Sequence, residues 1–442
     1  MDKNHRSKYK QNRHDPQPRD HSKRLRKDTL HTHARGHRQD TRNRRRKQCT
    51  LQPQRRTTTI SHHTIRIHIY ETKKATITKP EIIFPIPQNL DRCITSMYVN
   101  QTTNPVLPLA KVEAPSGYGL DNRFMSALDS FENFKRPCSG GNIEACENVK
   151  RVILDWAKTD AAKRTGPSNH EGRHWNDTLT VNLWIASPMI AGYSFVKQVI
   201  NVPEDEDKII KDWFQKIVKK NKHLMYDMKY KEGTQANGVP KRAHNHALSS
   251  AISHMQLGVL LNDDKLFRKA FLNYEAAIRY QRKDGSLPIE TRRGGRAMFY
   301  QGRAMNALSV IAIIAENQGY NIWDYEYKGK NFHNIVKFFI DFTENNEIVF
   351  KYAKEMKAPG PAKNYKIQDL NGRSGSNWGW LYAYATRFPN HENIKRLEKW
   401  SLNYKNLNSY QKKIVSNYKN ISKIGFGVSS WTVVEPRCHF TK

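Results

Sequence analysis

The sequence predicts an all-α fold, an (α/α) toroid of antiparallel helical hairpins, with a disordered basic extension before it. From about Cys146 onward, apolar residues recur at three- and four-residue spacing in stretches that are separated by short polar turns. Strand-like alternation is scarce, apart from a possible short β pair near residues 347–352. Many helices joined by short loops favour a toroid of hairpins over a compact bundle.

The sequence divides into three parts. Residues 1–80 contain 23 Lys and Arg against 6 Asp and Glu, together with 9 of the 18 histidines. They contain few large apolar residues, so we expect a disordered basic extension. It is either a nucleic-acid-binding arm or a non-native extension, translated from an incorrect start or in another frame. Residues 81–137 are interrupted by prolines and predict an irregular lead-in, whereas residues 138–442 predict the toroid.

The helical periodicity is clearest over residues 243–262, where Leu248, Ile252, Met255 and Val259 fall on one face. Turn-forming residues such as Asn262 end the helices in the expected places. The complete set of predicted helices is 145–160, 178–200, 205–221, 243–262, 264–282, 296–318, 331–345, 376–387 and 391–403.

Charge and cysteine content limit the class of protein. The net charge is +34, and about half of it lies beyond residue 80, which suits a polyanionic partner. Five cysteines are too few, and odd in number, for a disulfide scaffold. Cys138 and Cys146 are close enough in sequence to pair in an oxidising compartment. The sequence contains no apolar run of membrane-spanning length, and its first 30 residues show no apolar signal-peptide segment.

Two segments carry residues suited to catalysis. Residues 242–248 place Asn245 and His246 at the start of the clearest helix, off its apolar face. Residues 284–300 form a Gly-containing turn followed by a helix, on which Arg296 and Tyr300 share one face. Arg293 lies on the turn just before that helix.

Amide, imidazole, guanidinium and phenol groups together suit β-elimination of a uronic acid polymer. Removal of the proton on C5, beside a carboxylate, creates an enolate dianion that hydrogen-bond donors must stabilise. A base takes the proton, and an acid protonates the oxygen that leaves from C4. A neutral His can act as the base near neutral pH, and nearby guanidinium groups would favour an ionised Tyr.

Three segments resemble the alginate lyase domain family, in particular the poly(mannuronate) lyases of polysaccharide lyase family five. They are RAHNHALSSAISHMQLGVLLND (242–263), DGSLPIETRRGGRAMFYQGRAMNAL (284–308) and NWGWLYAYATRFP (377–389). The resemblance implies that Asn245 and Arg293 neutralise the substrate carboxylate. It also implies that His246 assists or acts as base, and that Tyr300 is the acid, and the base as well for mannuronate.

The resemblance further implies four substrate-binding residues, which are Arg296, His244, Trp380 and Trp184. His244 departs from the family pattern, since the family has an Asn there, and this leaves the exact polymer open. We expect a monomer that acts on an anionic polysaccharide without a cofactor or metal, and without a membrane partner. Its relatives suggest a periplasmic or secreted protein. Nucleic acid would bind only non-specifically, through residues 1–80.

Three alternatives remain from the sequence, and the first is a basic nucleic-acid-binding protein. A glycoside hydrolase on the same toroid would need two carboxylates beside its cleft, and the motifs offer only Asp284 and Glu290. A lyase for another polyuronate, such as glucuronan, would use the same chemistry.

Overall fold

Helices form nearly all the regular structure in the part of the chain that the structure describes. This computed structural model describes residues 74–87, 111–112, 122–162, 164–165, 185–219, 239–357, 364–370 and 378–419. Two short strands, β1 (Lys111–Val112) and β2 (Arg164–Thr165), pair in parallel. The predicted predominance of helix is confirmed.

The helices are, in chain order, α1 (Asn122–Ser139), α2 (Ile143–Lys158), α3 (Ser187–Val199), α4 (Glu204–Lys219), α5 (Asn245–Leu261), α6 (Asp264–Tyr280), α7 (Pro288–Thr291), α8 (Ala297–Asn317), α9 (Phe332–Glu344), α10 (Glu347–Ala353), α11 (Gly379–Arg387), α12 (Glu392–Leu402) and α13 (Ser409–Lys419).

Each predicted helix has a counterpart, most with ends that agree to within about two residues. Residues 178–184 of the second predicted helix, and 376–377 of the eighth, lie outside the described residues. The possible β pair near 347–352 is wrong, because those residues form α10. Helices α1, α7 and α13 are not among the predicted helices. Pro137 interrupts the sequence pattern of α1, α7 has only four residues, and α13 buries only Ile414 and Val415.

The hairpin of α5 and α6 shows how local sequence sets the packing. Asn262 ends α5 in the left-handed conformation, with φ of 54°, and the side chain of Asp263 caps the Leu266 N–H of α6. Gly258 lets the two helices approach closely, since a Cβ there would lie 2.5 Å from the backbone nitrogen of Phe267. Gly258 in the last turns of α5, together with Asn262 and Asp263 at the turn itself, therefore specifies the hairpin.

Neighbouring helices pack in pairs around one continuous apolar core. Helices α1 and α2 form one such pair, and α12 and α13 another. Helix α5 contacts α3, α6 and α8, and it is buried from Asn245 to Leu260. This central position brings the start of α5 into the protein interior.

Residues 74–87 are anchored on the helix ends. The side chain of Gln318, just after α8, accepts from the backbone of Thr78 and Lys79 and donates to the carbonyl of Ile82. Ile83 and Phe84 are buried in the core. The expected division of the chain therefore differs from the structure at residues 74–80, which are hydrogen-bonded to the helices, and at residues 122–137, which belong to α1. The expected disorder of residues 1–73 lies outside the described residues.

Cys138 and Cys146 form a disulfide between the end of α1 and the first turn of α2. The pairing that the sequence left open is thus present in the structure. None of the described helices combines the length and apolarity needed to cross a membrane.

Replacement of Gly258 by Ala should destabilise the fold, because the new methyl group would collide with the α6 backbone. We expect the free energy of unfolding to fall by about 1–3 kcal/mol, the usual range for overpacking. Urea unfolding followed by circular dichroism measures this. The exposed Leu402, replaced by Ala, should change the value by less than about 0.5 kcal/mol. Equal effects of the two substitutions would contradict this account of the hairpin.

Candidate active site

The first turn of α5 presents three polar side chains. His244 is the N-cap residue, and Asn245 and His246 are the first two residues of the helix. The rings of His244 and His246 lie 4.5 Å apart between centroids. Asn245 is fully buried and His246 is 5% exposed, whereas 17% of the His244 side chain is exposed.

The turn at residues 284–287 is held by side-chain hydrogen bonds. Asp284 accepts from the backbone and hydroxyl of Ser286 and from the hydroxyl of Tyr352. Gly285 has a φ of 87°, and a Cβ there would lie 1.9 Å from the carbonyl oxygen of Asn334, so the turn requires glycine. Gln301 of α8 accepts from the N–H of Leu287. This network fixes the short helix α7 against α8.

The second turn, between α7 and α8, is anchored by residues 364–370. Gln368 accepts from the N–H of Met298 and donates to the carbonyl of Gly294. The N–H of Asp369 donates to the carbonyl of Gly295 at 2.7 Å. Gly294 itself has a φ of 58°. Arg293 therefore emerges from a turn that is fixed on both sides.

Glu290 of α7 joins the two segments that the sequence singled out. Its Oε1 accepts from the backbone N–H of Asn245 at 2.8 Å, and its Oε2 accepts from Asn245 Nδ2 at 2.7 Å. Arg293 Nη1 lies 3.5 Å from the same Oε2. Asn245 Nδ2 also lies 3.2 Å from Nε2 of His244, which can accept its second hydrogen. Asn245, Glu290 and Arg293 thus form one connected group.

Arg293 continues this group to Tyr300. Its guanidinium carbon lies 3.2 Å from the centroid of the Tyr300 ring, within the range of a cation–π contact. Tyr300 lies on α8, and Phe299 packs edge-on against its ring. Arg293 and Tyr300 are 1% and 3% exposed. The structure therefore brings together all four residues to which the sequence assigned catalysis.

Burial and positive charge determine the protonation of this group. Burial, followed by the charges of His244, Arg293 and Arg303, holds the pKa of His246 well below 6.5, so the ring is neutral at neutral pH. Burial and the nearby Arg293 lower the pKa of Arg303 to about 10, against the opposing effects of Tyr300 and Glu290. Arg303 is therefore a further cation beside Tyr300. Arg303 follows Arg296 by seven residues, a spacing that puts both on the same face of a helix.

The predicted substrate-binding residues lie in different surroundings. His244 contacts Asn245 of the catalytic group, by which we mean Asn245, His246, Arg293 and Tyr300, predicted to be catalytic, together with Glu290. Arg296 is the partly buried N-cap residue of α8. Trp380 is fully buried and packs on Phe339 of α9, a position that does not favour stacking on a sugar. Trp184 lies outside the described residues.

Glu290 is the residue at this site to which the sequence analysis gave no place in the mechanism. It was considered only as a possible hydrolase carboxylate. Its position three residues before Arg293 on a helical turn is the signal that could have indicated an ion pair. Among the described residues, no group of three or more His, Cys, Asp or Glu side chains is arranged to hold a metal.

The fold resembles that of solved alginate lyases. The alginate lyase A1-III from Sphingomonas species A1 matches over 74% of this chain and 93% of its own, with a TM-score of 0.56 and 19% identity. An apo form of a single-residue variant of alginate lyase A1-III matches over 85% of this chain and 99% of its own, with a TM-score of 0.59 and 17% identity. At such low identity these matches show the fold, and they confirm the predicted (α/α) toroid.

Sequence comparison identifies the family. Residues 79–350, more than half of the chain, match the model of the alginate lyase family. An alginate lyase of Pseudomonas syringae pv. syringae is 27% identical over 41% of this chain and 45% of its own length. An alginate lyase of Pseudomonas fluorescens is 26% identical over 56% of this chain and 60% of its own. The chain belongs to the alginate lyase family, although it spans about half the length of the first of these relatives.

The depressed pKa of His246 should make stability fall with acidification. The folded form keeps the ring neutral, while the unfolded chain binds a proton as the pH falls below about 6.5. His246 therefore has no such effect on the free energy of unfolding above that pH, and it lowers this free energy progressively as the pH falls below it. We expect His246→Gln to show a smaller loss in free energy of unfolding than the wild type between about pH 7.5 and pH 5. Urea unfolding at the two pH values checks this, and equal losses would show that His246 titrates normally.

Proposed function

We propose that this protein is a polysaccharide lyase that cleaves an alginate-like polyuronate by β-elimination, leaving unsaturated uronate ends. One observation carries the proposal, which is the series of direct contacts from Asn245 through Glu290 and Arg293 to Tyr300. This series places carboxylate-binding donors beside an imidazole and a phenol. Membership of the alginate lyase family supports the same chemistry.

In the proposed mechanism, Arg293 and Asn245 bind the carboxylate of the sugar whose C5 proton is removed. A guanidinium group matches the geometry of a carboxylate and stabilises the charge that develops in the enolate. Asn245 has one Nδ2 hydrogen bonded to Glu290 and the second near His244. The substrate carboxylate would therefore compete with His244 for that second hydrogen. This competition gives His244 a role in substrate binding.

The proton transfers fall to His246 and Tyr300. His246 is neutral at neutral pH, so it can accept a proton or donate a hydrogen bond to the carboxylate. Tyr300 protonates the leaving C4 oxygen. For mannuronate, in which the proton and the leaving group lie on one face, Tyr300 would also take the proton. Arg293 and Arg303 beside the ring would stabilise a phenolate during that step.

The two carboxylates considered for a hydrolase are both engaged by other groups of the protein. Asp284 accepts hydrogen bonds from Ser286 and Tyr352, and Glu290 accepts from Asn245 and lies 3.5 Å from Arg293 Nη1. An inverting or retaining hydrolase needs two carboxyl groups on opposite sides of the scissile bond. The geometry therefore favours the lyase over the hydrolase.

The disulfide supports a location outside the reducing cytosol. Cystine pairs persist in the periplasm and in secreted proteins, whereas thiols predominate in the cytosol. The Cys138–Cys146 pair lies in the described part of the chain and is fully buried. We infer that the protein works in the periplasm or after secretion.

Tyr300→Phe tests the mechanism directly. It removes the phenolic proton but keeps the ring against Arg293, so the fold should remain while turnover falls by at least about 10³-fold, as for loss of a central proton-transfer group. Wild type and variant are incubated with polymannuronate, polyguluronate and glucuronan, and unsaturated ends are followed by ultraviolet absorbance.

Two results would contradict this mechanism. New reducing ends without ultraviolet absorbance would indicate a hydrolase. Full turnover by Tyr300→Phe on the preferred polymer would remove the phenol from the reaction. Tyr404→Phe is a suitable control, because this Tyr lies outside the catalytic group and is 37% exposed.

Removal of residues 1–73 separates the lyase from a nucleic-acid-binding protein. This deletion ends before the anchored segment 74–87. We expect polyuronate cleavage to persist and any binding to duplex DNA to weaken strongly, since the basic residues that attract phosphate are removed. DNA binding is measured by fluorescence anisotropy at two salt concentrations. Undiminished DNA binding after the deletion would place a nucleic-acid site in the body of the protein.

A further inference from the structure

We propose that Glu290 is a positioning residue that orients both carboxylate-binding groups, Asn245 and Arg293, for the elimination; this inference rests on the proposed function. Glu290 is fully buried, and its two oxygens face Asn245 and Arg293. Its effect on the reaction is exerted through the two residues that it holds.

The carboxylate of Glu290 has a fixed position. It lies on α7, which begins with Pro288 and is held by a hydrogen bond from the N–H of Leu287 to Gln301 of α8. Thr291 donates to the carbonyl of Leu287 and accepts from Arg282. Both ends of α7 are therefore tied to neighbouring elements, and Glu290 can serve as a reference point between α5 and α8.

Each oxygen of the carboxylate has a separate task. Oε1 accepts from the backbone N–H at the start of α5, at 2.8 Å from Asn245. Oε2 accepts from the side-chain amide of the same residue at 2.7 Å, and Arg293 Nη1 lies 3.5 Å from it. Two donors from different parts of the chain thus meet at one oxygen atom. Their separation is set by Glu290.

The charge of Glu290 also fixes the orientation of the Asn245 amide. Burial raises the pKa of Glu290, while the charge of Arg293 and the hydrogen bonds from Asn245 oppose that shift and favour the ionised form. An ionised carboxylate only accepts hydrogen bonds, so it selects the orientation in which Nδ2 faces Oε2. The opposite orientation would place Oδ1 against a negative oxygen. Within the described structure, Asn245 Oδ1 is buried without a hydrogen-bond partner. Glu290 therefore holds the Asn245 amide in this orientation, although Asn245 Oδ1 accepts no hydrogen bond in it.

A neutral amide in place of the carboxylate would reverse this selection. In Glu290→Gln, the introduced carbonyl can still accept from the backbone N–H of Asn245. The introduced NH₂ group would then face Asn245 Nδ2, and two donors would oppose each other. Rotation of the Asn245 amide relieves this conflict, and Arg293 loses its anionic partner. The variant keeps the shape of the site but misdirects both carboxylate-binding groups.

The kinetic test compares Glu290→Gln with Glu132→Gln. Glu132 is also a buried carboxylate with one cationic partner, Lys135, but it lies on α1 and outside the catalytic group. We expect kcat of Glu290→Gln to fall about 10²-fold, the usual cost of losing one donor to a developing oxyanion, with KM changed less than about threefold. Glu132→Gln should keep the wild-type kcat. A kcat of Glu290→Gln within threefold of wild type would overturn the proposal.

A double-mutant cycle distinguishes positioning from a general structural effect. If Glu290 acts through Asn245, then Glu290→Gln should cost at least about tenfold less in kcat when Asn245 is already Ala. Equal costs in the two backgrounds would mean that Glu290 does not act through Asn245. Should Glu290→Gln fail to fold, Glu290→Asp replaces it. Asp keeps the charge but withdraws it by about 1.5 Å, so kcat must still fall at least tenfold.

Crystal structures of wild type and Glu290→Gln provide a measurement that is independent of activity. We expect the Arg293 guanidinium to move from its place over the Tyr300 ring in the variant. An unmoved guanidinium would overturn the positioning role. If the wild type forms no unsaturated ends on any polyuronate, the proposed function fails, and the crystal structures still decide whether Glu290 positions Arg293.

Discussion

The burial of helix α5 is the constraint on which the rest of this structure depends. A helix that is enclosed along its whole length must satisfy its polar groups within the protein, including the free N–H groups of its first turn. His244, at the N-cap position, makes no capping hydrogen bond from its side chain. The N–H of Asn245 is instead satisfied by a carboxylate from another helix, Glu290 of α7. The need to satisfy the first turn of α5 thus links the two segments that are predicted to carry the catalytic residues.

The same constraint explains why the site is electrostatically unusual. One buried carboxylate faces Arg293, with Arg303 and two histidines close by. Burial, and after it the excess of positive charge, holds the pKa of His246 low and keeps the ring neutral. A site of this kind is well suited to an anionic sugar, which supplies the negative charge that the surroundings lack. The positive body of the chain is consistent with this local balance.

Much of the fold could be predicted from the sequence, because the apolar spacing in helices such as α5 and α6 is regular. Helix α10 was mistaken for a β pair, since seven residues are too few to show a helical period against Val349 and Phe350, which also favour strands. The anchored segment 74–87 was missed for a different reason. Its packing depends on Gln318, and such a long-range partner leaves no periodic pattern in the segment itself.

The candidate site was predictable in its residue types but not in its connections. Asn245, His246, Arg293 and Tyr300 were identified from chemistry and family resemblance, and they lie together. The family resemblance predicts Trp380 at the substrate, and the structure shows this side chain fully buried. The role of Glu290 could not be predicted, because it depends on a contact with Asn245, which lies 45 positions earlier in the chain and on another helix.

The anchored segment 74–87 has a consequence for how the chain acquires its structure. Thr76 bonds to Tyr320, a partner 244 positions later, and Thr78 bonds to Gln318, 240 positions later. During synthesis, Thr76 and Thr78 can therefore form these hydrogen bonds only after α8 and the residues that follow it have been made. Contacts between such distant positions slow folding and expose apolar surface in the meantime. Ile83 and Phe84 contact Ser194 and Phe195 of α3, which is synthesised before α8, so this end of the segment can dock before the contacts with Gln318 form.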